Sequence, residues 1–165
     1  MTKPVGIGVL GARSMVARLA VLPAIEASSK TSLVAAASLS GPVPDRWAAA
    51  AVPDYQAVID HPDVEAIYLP LPNNMHRAWT IAAAAAGKHV LCEKPLAGSA
   101  DDARAMQAAC DAGGTLLAEA WMTPFDPRWC HAMQLATDGL VGDITEINAA
   151  FTFTIGPEGA NNYRW

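Results

Sequence analysis

Residues 5–16, VGIGVLGARSMV, give the strongest indication of the fold, because a short apolar run meets a glycine and is followed by a more polar segment. Val5 to Leu10 predict a buried strand, and Gly11 predicts the turn into a helix. Residues 6–11 match the glycine fingerprint G-x-G-x-x-G letter for letter, but that match lies inside the strand, whereas the fingerprint follows a strand. The turn therefore starts at Gly11, and only the first glycine of the fingerprint is kept.

Four more apolar runs follow, and helical segments separate most of them. The predicted strands cover residues 32–38, 64–69, 88–92 and 115–118. The predicted helices cover residues 14–27, which Pro23 should interrupt, 73–86 with Asn73 as the N-cap, and 99–113 with Ser99 as the N-cap. Continuous apolar strands that alternate with helices predict a parallel sheet covered on both faces. We therefore expect an α/β, Rossmann-type doubly wound domain over residues 1–120.

The pattern changes after residue 120. A helix is predicted from Asp126-Pro127 to Asp138-Gly139, and Thr145 to Ile155 alternate apolar and polar side chains with a period of two. That alternation predicts a strand of antiparallel type with one buried face. Residues 121–165 are therefore expected to be the incomplete start of a second, α+β domain with an antiparallel sheet for substrate binding and oligomerisation. Its apolar face should pack against a partner chain or the rest of a longer chain.

Composition excludes several classes of protein. The chain of 165 residues is 52% hydrophobic with a net charge of −5, and no basic patch stands out, so nucleic-acid binding is not expected. Its three cysteines show no paired metal spacing, which predicts no metal site and fits a reducing cytoplasm. The N-terminus runs straight into a strand with no visible signal peptide, and no apolar run is long enough to span a membrane.

The turn after the first strand is Gly11-Ala12-Arg13-Ser14-Met15. Arg13 stands where a glycine normally lets the backbone approach a diphosphate, so either the loop is wider or Arg13 contacts a phosphate itself. A loop of this kind is equally consistent with a plain structural turn. The second strand ends in Ser38-Leu39-Ser40 and lacks the acidic residue that holds a ribose 2′-hydroxyl, which favours NADP slightly over NAD. Arg46 could reach this point, but a solvated surface position is the simpler interpretation.

Two further motifs lie at strand ends. Pro72-Asn73-x-x-His76 follows the third strand and Glu93-Lys94-Pro95 follows the fourth, at the sheet edge where open α/β proteins bind ligands. Taken singly, these are a helix cap, a surface histidine and a solvated strand end. Together with the Gly11 turn they define a specific pattern, and the run AGKHVLCEKPLA, residues 86–97, is its most specific part.

The chain resembles the glucose–fructose oxidoreductase / inositol dehydrogenase / rhizopine catabolism (Gfo/Idh/MocA) family of NAD(P)-dependent oxidoreductases. The runs LPAI at residues 22–25, EAWM at residues 119–122 and DGLVGD at residues 138–143 also fit that family. The resemblance implies an N-terminal part of an enzyme that moves a hydride between NAD or NADP and a sugar, a polyol or a similar secondary alcohol.

The resemblance also assigns roles to residues. Lys94 would be the catalytic lysine and relay the proton of the reacting hydroxyl, and Glu93 would pair with Lys94 or contact the cofactor. Leu71, Pro72, Asn73 and His76 would flank the ribose and the nicotinamide. The bond before Pro95 would be cis, and the second-domain sheet would form a homo-oligomer.

The chain also departs from the family pattern. Pro124 and Asp126 stand where many members carry an arginine and a histidine, which leaves the substrate open. The resemblance also implies a downstream Asp/His pair, which would be expected after residue 165. Two alternatives therefore stay open: a catalytically incomplete NAD(P)-binding or self-associating module, and an unrelated Rossmann domain for another adenosyl ligand. Cys92 is expected to pack as a small hydrophobic residue.

Overall fold

Five short strands form a wholly parallel sheet in the first part of the chain. The computed structural model describes residues 3–152 and 154. The strands are β1 (Val5–Leu10), β2 (Thr31–Ala37), β3 (Ala66–Leu69), β4 (His89–Cys92) and β5 (Leu117–Glu119). Their order is β2-β1-β3-β4-β5. The predicted doubly wound α/β sheet is confirmed. Successive strands are added on one side of β1 and then, from β3 on, on its other side. Such sheets open a ligand crevice at this change of strand order, between β1 and β3.

The helices cover both faces of this sheet. They are α1 (Leu22–Ala27), α2 (Tyr55–Ile59), α3 (Asn73–Ala85) and α4 (Ala100–Ala112), with a 3-10 helix at Asp45–Ala50. Neighbouring residues of one strand point to opposite faces, so Val9 and Leu10 belong to two separate apolar clusters. Tyr68 and Leu69 of β3 divide in the same way. The core therefore lies in two layers, as continuous apolar strands predict.

Two local predictions about helices are wrong. Pro23 does not interrupt the first helix, because a π-helical turn at Ala17–Val21 precedes it and pairs the Leu22 N–H with the Ala17 carbonyl. The wider turn accommodates a residue that has no N–H to donate. Asn73 is the first residue of α3 rather than its N-cap, because Pro72, with ψ of 143°, is the last extended residue. Ser99 does cap α4, and its hydroxyl accepts from the Asp102 N–H at 3.1 Å.

A second compact unit begins at Trp121. It contains a 3-10 helix at Thr123–Phe125 and α5 (Pro127–Thr137). The predicted helix is confirmed, and the Asp126 carboxylate caps it by accepting from the Arg128 N–H at 2.9 Å.

The predicted strand at residues 145–155 is wrong where the structure describes it. Residues 145–152 and 154 form no strand, and residues 153 and 155 lie outside the described part. Ile147, which was expected on the buried face, is 79% exposed. A strand is stable only when it pairs with a neighbouring strand. The described residues of the second unit, from Trp121 on, form no strand that could pair with this segment.

The described residues lack two features that would point to other classes of protein. None of their helices has the length and apolar character to cross a membrane. Within the same residues, no group of three His, Cys, Asp or Glu side chains could hold a metal ion.

Candidate functional site

The carboxyl ends of β1 and β3 touch through Gly11. This residue has φ of +99°, and a Cβ added to it would lie 2.9 Å from Leu71 Cδ2 and 3.3 Å from the Pro70 carbonyl oxygen. Only glycine combines that backbone conformation with so close an approach. The turn after β1 and the loop after β3 therefore form the two sides of the crevice at the reversal point of the sheet.

The glycine turn is fixed by backbone hydrogen bonds to β2. The N–H groups of Gly11 and Ala12 both donate to the Ala37 carbonyl, at 2.9 and 3.0 Å. The Ser14 N–H donates to the Gly11 carbonyl at 2.9 Å, and the Ser14 hydroxyl accepts from the Ala17 N–H at 3.1 Å. Ala12 is fully buried, so among the predicted cofactor residues it supports the turn from inside. Arg13 and Met15 are exposed.

Arg13 extends to the loop that follows β2. Its Nη1 donates to the Pro42 carbonyl at 3.4 Å, and a Cβ on Gly41 would lie 3.4 Å from its Nε. In the same loop the hydroxyls of Ser38 and Ser40 lie 3.1 Å apart. Arg13 forms no ion pair within residues 3–152 and 154. A guanidinium that pairs with no carboxylate of the described residues and two hydroxyls therefore lie at the end of β2, where dinucleotide-binding folds recognise the adenosine ribose.

Arg46 does not belong to this group. Its guanidinium pairs with the Glu26 carboxylate at 2.6 Å and lies over the Trp47 ring, 5.4 Å from its centre. The surface interpretation of Arg46 agrees with these contacts.

The loop after β4 lies beside the loop after β3. The Glu93 N–H donates to the Leu69 carbonyl at 3.2 Å, and the Lys94–Pro95 peptide bond is cis, as the resemblance implies. The Glu93 carboxylate accepts from the Lys94 backbone N–H at 3.2 Å. It does not pair with the lysine ammonium, which is exposed and has no ion-pair partner in the described part of the chain. Lys94 therefore presents a free ammonium at the sheet edge.

Burial and the negative charge of Glu93 together raise the pKa values of two neighbouring side chains, Tyr68 and Cys92. Tyr68 is buried, and its hydroxyl donates to Glu93 Oε1 at 2.9 Å. Burial is the larger cause and the Glu93 carboxylate the second cause that hold the pKa of this phenol well above its usual range. Burial, followed by the charges of Glu93 and Glu119, raises the pKa of the Cys92 thiol to about 12. Cys92 is fully buried, which confirms its role as a packing residue. Both groups therefore remain protonated and uncharged at neutral pH.

His76 does not face the sheet edge. It is fully buried, so it does not lie at the surface. Its Nε2 lies 2.8 Å from the Leu71 carbonyl oxygen, and its Nδ1 lies 3.1 Å from the carbonyl oxygens of both Pro95 and Leu96. Spacing along a helix does not reveal which side chains point inward at a loop junction, because that depends on the loops packed over the helix. Pro72 and Asn73 are half-buried at the same edge.

The match to known proteins agrees with this arrangement. A family model described as an oxidoreductase family with an NAD-binding Rossmann fold covers residues 5–120. The chain belongs to the Gfo/Idh/MocA family. The resemblance drawn from the Glu93-Lys94-Pro95 region is thereby confirmed.

Relatives within the Gfo/Idh/MocA family include two kinds of sugar enzyme. A D-xylose 1-dehydrogenase (NADP(+)) of Haloferax volcanii is 35% identical over 161 residues, which are 95% of this chain and 49% of the relative. A dTDP-3,4-didehydro-2,6-dideoxy-alpha-D-glucose 3-reductase of Streptomyces violaceoruber is 38% identical over 164 residues, 96% of this chain and 47% of the relative. The chain thus spans about half the length of the curated relatives it matches.

Solved structures of the family share the fold. A 3-ketoreductase from Actinomadura kijaniata, in complex with NADP and TDP-benzene, superposes with a TM-score of 0.75 at 32% identity, covering 84% of this chain and 43% of that one. An aldose-aldose oxidoreductase from Caulobacter crescentus, complexed with glycerol, gives a TM-score of 0.74 at 31% identity, covering 85% and 44%.

Two side chains that contact the loop of Lys94, Tyr68 and Glu119, were not predicted as site residues from the sequence. Tyr68 was treated as part of an apolar strand, although a tyrosine inside a buried strand needs a partner for its hydroxyl. Glu119 accepts from the Leu96 N–H at 2.8 Å and ties the loop after β4 to the end of β5. No local signal points to Glu119, because its partner lies 23 positions away.

Proposed function

We propose that this chain binds NAD(P) at the carboxyl edge of its sheet and serves an oxidoreductase acting on a secondary alcohol of a sugar or polyol. The observation that carries this proposal is the exposed, unpaired Lys94 on a fixed loop beside the crevice at the end of β3. Titratable groups that stand free at such a crevice are candidates for proton transfer.

The residues at the sheet edge fit a dinucleotide. The Gly11 turn leaves no room for a side chain against Leu71, so backbone there can approach a diphosphate. Residues 11–15 would hold the diphosphate, Ser38 the adenosine ribose, and Leu71, Asn73 and Glu93 the nicotinamide side. Ala12 and His76 would contribute by packing, since both are fully buried. When bound, the nicotinamide supplies the hydride acceptor or donor.

Lys94 would handle the proton that accompanies the hydride. Its ammonium can donate a hydrogen bond to a carbonyl oxygen of the substrate and deliver a proton to that oxygen during reduction. In the oxidative direction the neutral amine accepts the hydroxyl proton from the same atom. Glu93 bonds the Lys94 backbone N–H, so it orients the loop and leaves the ammonium free.

NADP is the preferred cofactor in this proposal. Arg13 supplies a cation, and Ser38 and Ser40 supply hydroxyls, at the position where a carboxylate would repel a 2′-phosphate. The Haloferax enzyme whose name includes NADP(+), and the ketoreductase complex with NADP, support the same preference.

The substrate is proposed as a sugar or sugar derivative, because the named relatives act on xylose and on a dTDP-linked sugar. In this chain the Asp126 carboxylate is held by the Arg128 side chain at 2.7 and 3.1 Å.

Binding and turnover test the proposal separately. NADPH should bind the 165-residue chain, which titration with nicotinamide fluorescence as the readout would detect. In the full-length enzyme, Lys94→Ala should lower kcat roughly 10²- to 10⁴-fold, the usual contribution of general acid–base catalysis, while Kd for NADPH stays nearly constant. Lys30→Ala, another exposed lysine, is the matched control.

Normal turnover of the Lys94→Ala variant would contradict the mechanism. Cofactor binding without turnover by the wild-type enzyme would favour the incomplete binding module instead. No response to millimolar NADPH would favour another adenosyl ligand.

A homo-oligomer is also part of the proposal, but a second-domain strand does not support it. The second unit instead exposes large apolar side chains, among them Phe125 at 83% and Ile147 at 79%. Exposed apolar groups of this size favour association. Gel filtration with light scattering should give a mass above 17.3 kDa for the chain, and a well-behaved monomer would count against association.

A further inference from the structure

Two carboxylates bind the backbone of the loop after β4, one on each side of Lys94 in the chain. Glu93 Oε2 accepts from the Lys94 N–H at 3.2 Å, and Glu119 Oε1 accepts from the Leu96 N–H at 2.8 Å. Because a backbone N–H can only donate and a carboxylate oxygen accepts, the direction of both bonds is unambiguous. Within the described residues neither carboxylate forms an ion pair, so both act on the backbone rather than on the lysine ammonium.

The first of these carboxylates ties the start of the loop to β3. The Glu93 N–H donates to the Leu69 carbonyl at 3.2 Å, and Glu93 Oε1 accepts from the Tyr68 phenol at 2.9 Å. Both partners belong to a buried strand. The residue that precedes Lys94 is therefore fixed to the interior of the sheet.

The second carboxylate ties the loop to β5, on the other side of β4. The end of β5 is itself fixed, because the Ala120 N–H donates to the Cys92 carbonyl at 2.7 Å. The Leu96 carbonyl accepts from the Cys92 thiol at 3.8 Å, while the Leu96 N–H has Glu119 as its hydrogen-bond partner among the described contacts. Loss of Glu119 would therefore leave this N–H without its acceptor and release the loop from β5.

Lys94 lies between these two points of attachment, one residue after Glu93 and two residues before Leu96. With the backbone held on both sides, few rotations remain that could move the lysine relative to the crevice. The loop after β4 belongs to the nicotinamide end of the proposed site, whereas Arg13 and Ser38 lie at the adenosine end. A released loop should therefore affect the nicotinamide end and leave the adenosine end unchanged.

We propose that Glu119 is a positioning residue, which holds the Leu96 N–H and thereby fixes the loop of Lys94 at the nicotinamide end of the cofactor site. This inference rests on the proposed function, because it assigns that loop to the nicotinamide. Glu119 acts through Leu96, and its role depends on the reach of an acceptor oxygen rather than on negative charge.

Two substitutions separate reach from charge. Glu119→Gln keeps the length and an acceptor oxygen but removes the charge, whereas Glu119→Asp keeps the charge and is one methylene shorter. In calorimetric titrations of the 165-residue chain, Glu119→Asp should lower NADP⁺ affinity roughly three- to tenfold, the size of a typical net hydrogen bond. Glu119→Gln should stay within about twofold of wild type.

The ligand 2′,5′-ADP, which lacks the nicotinamide half, tests where the loss arises. Its affinity should stay within about twofold of wild type in both variants. Glu65→Asp is the matched control, because Glu65 lies at the opposite end of β3 and its carboxylate pairs with exposed Lys3 at 3.1 Å. This variant should change neither affinity.

Hydrogen exchange followed by NMR tests the contact itself in the chain without cofactor. The Leu96 amide should exchange about tenfold faster or more in Glu119→Asp than in wild type, and close to the wild-type rate in Glu119→Gln. The Glu93 amide, which donates to Leu69, should keep its rate in both variants.

The outcomes separate the two proposals. Equal losses for NADP⁺ and 2′,5′-ADP, no loss in Glu119→Asp, or a loss in Glu119→Gln alone would each overturn the positioning role. If Glu119→Asp does not fold, Glu119→Gln still decides, since wild-type NADP⁺ affinity and a protected Leu96 amide would support the role and a loss of either would overturn it. If the wild-type chain binds neither ligand, the proposed function fails, and Leu96 exchange still decides whether Glu119 fixes the loop.

Discussion

The phenol of Tyr68 donates a 2.9 Å hydrogen bond to the carboxylate of Glu93, although 25 positions separate the two residues. The parallel pairing of β3 with β4 brings them together, since Leu69 is opposite Cys92 in the register. One oxygen of Glu93 accepts from the phenol, and the other accepts from the Lys94 N–H. A buried side chain of the core is thereby linked to the loop that carries the proposed catalytic lysine.

Tyr68→Phe should destabilise the chain by about 1–3 kcal/mol, because it removes a hydrogen bond to a charged group and leaves the carboxylate without that donor. Urea denaturation would measure the change. Tyr55→Phe removes another buried phenol, away from any carboxylate bond in the described contacts, and should cost less. Equal losses in the two variants would show that the Glu93 contact adds nothing of its own.

Alkaline pH should weaken the fold through Cys92. Its pKa is raised from 9.0 to about 12, so the folded state keeps the thiol proton at pH values where the unfolded state has released it. The stabilisation is therefore complete below pH 9 and is lost as pH rises toward 12, with a limiting slope of about 1.4 kcal/mol per pH unit. The raised pKa of Tyr68 adds a loss of the same sign above pH 10.

Urea midpoints at pH 8 and pH 10.5 would measure this loss. Cys92→Ala should show a smaller fall between the two pH values than wild type. Cys110→Ala, which removes the other buried thiol, is the matched control for the loss of a buried side chain. An unchanged pH dependence in Cys92→Ala would contradict the assignment.

Arg13→Ala should weaken NADP⁺ binding about 10- to 100-fold and leave NAD⁺ binding nearly unchanged. The reason is the loss of a charge-assisted hydrogen bond to the 2′-phosphate, worth about 1.5–3 kcal/mol. Calorimetry with both cofactors would measure it, and Arg104→Ala on the exposed face of α4 is the control. A parallel loss for NAD⁺ would instead assign Arg13 to the diphosphate.

Gly11→Ala should destabilise the chain by about 2–4 kcal/mol. Its φ of +99° strains an alanine, and the new methyl group would overlap Leu71 Cδ2 at 2.9 Å. Gly87→Ala is the matched control: φ is +72° there and nothing lies within 4 Å, so only the backbone strain remains, about 1 kcal/mol. Thermal denaturation of both variants would compare them.

A second substitution separates the two contributions at Gly11. Adding Leu71→Ala to Gly11→Ala should remove the overlap, so the double variant should lose less than the sum of the single ones. Strict additivity would show that the overlap is relieved in some other way.

Much of the candidate site could be predicted from local sequence pattern. The predictions that failed did so for physical reasons. Gly11, Lys94 and Pro95 were placed at strand ends because apolar runs reveal where parallel strands stop. Asn73 was misplaced by one position, because helix starts depend on backbone angles that the side-chain type only biases. The burial of His76 was not predicted, because the carbonyl groups that contact its ring include those of residues 19 and 20 positions further along the chain.

The family, the parallel doubly wound sheet and the sheet edge at which the Gly11, Asn73 and Lys94 motifs meet all follow from the amino-acid sequence alone. Those properties follow from the order of apolar runs, glycines and prolines, which are local. Only the tertiary structure decided that Glu93 binds Tyr68, that Arg13 reaches the loop after β2 and that His76 joins two loops from within. These contacts depend on which strands become neighbours and how closely their loops pack, and no short stretch of sequence contains that information.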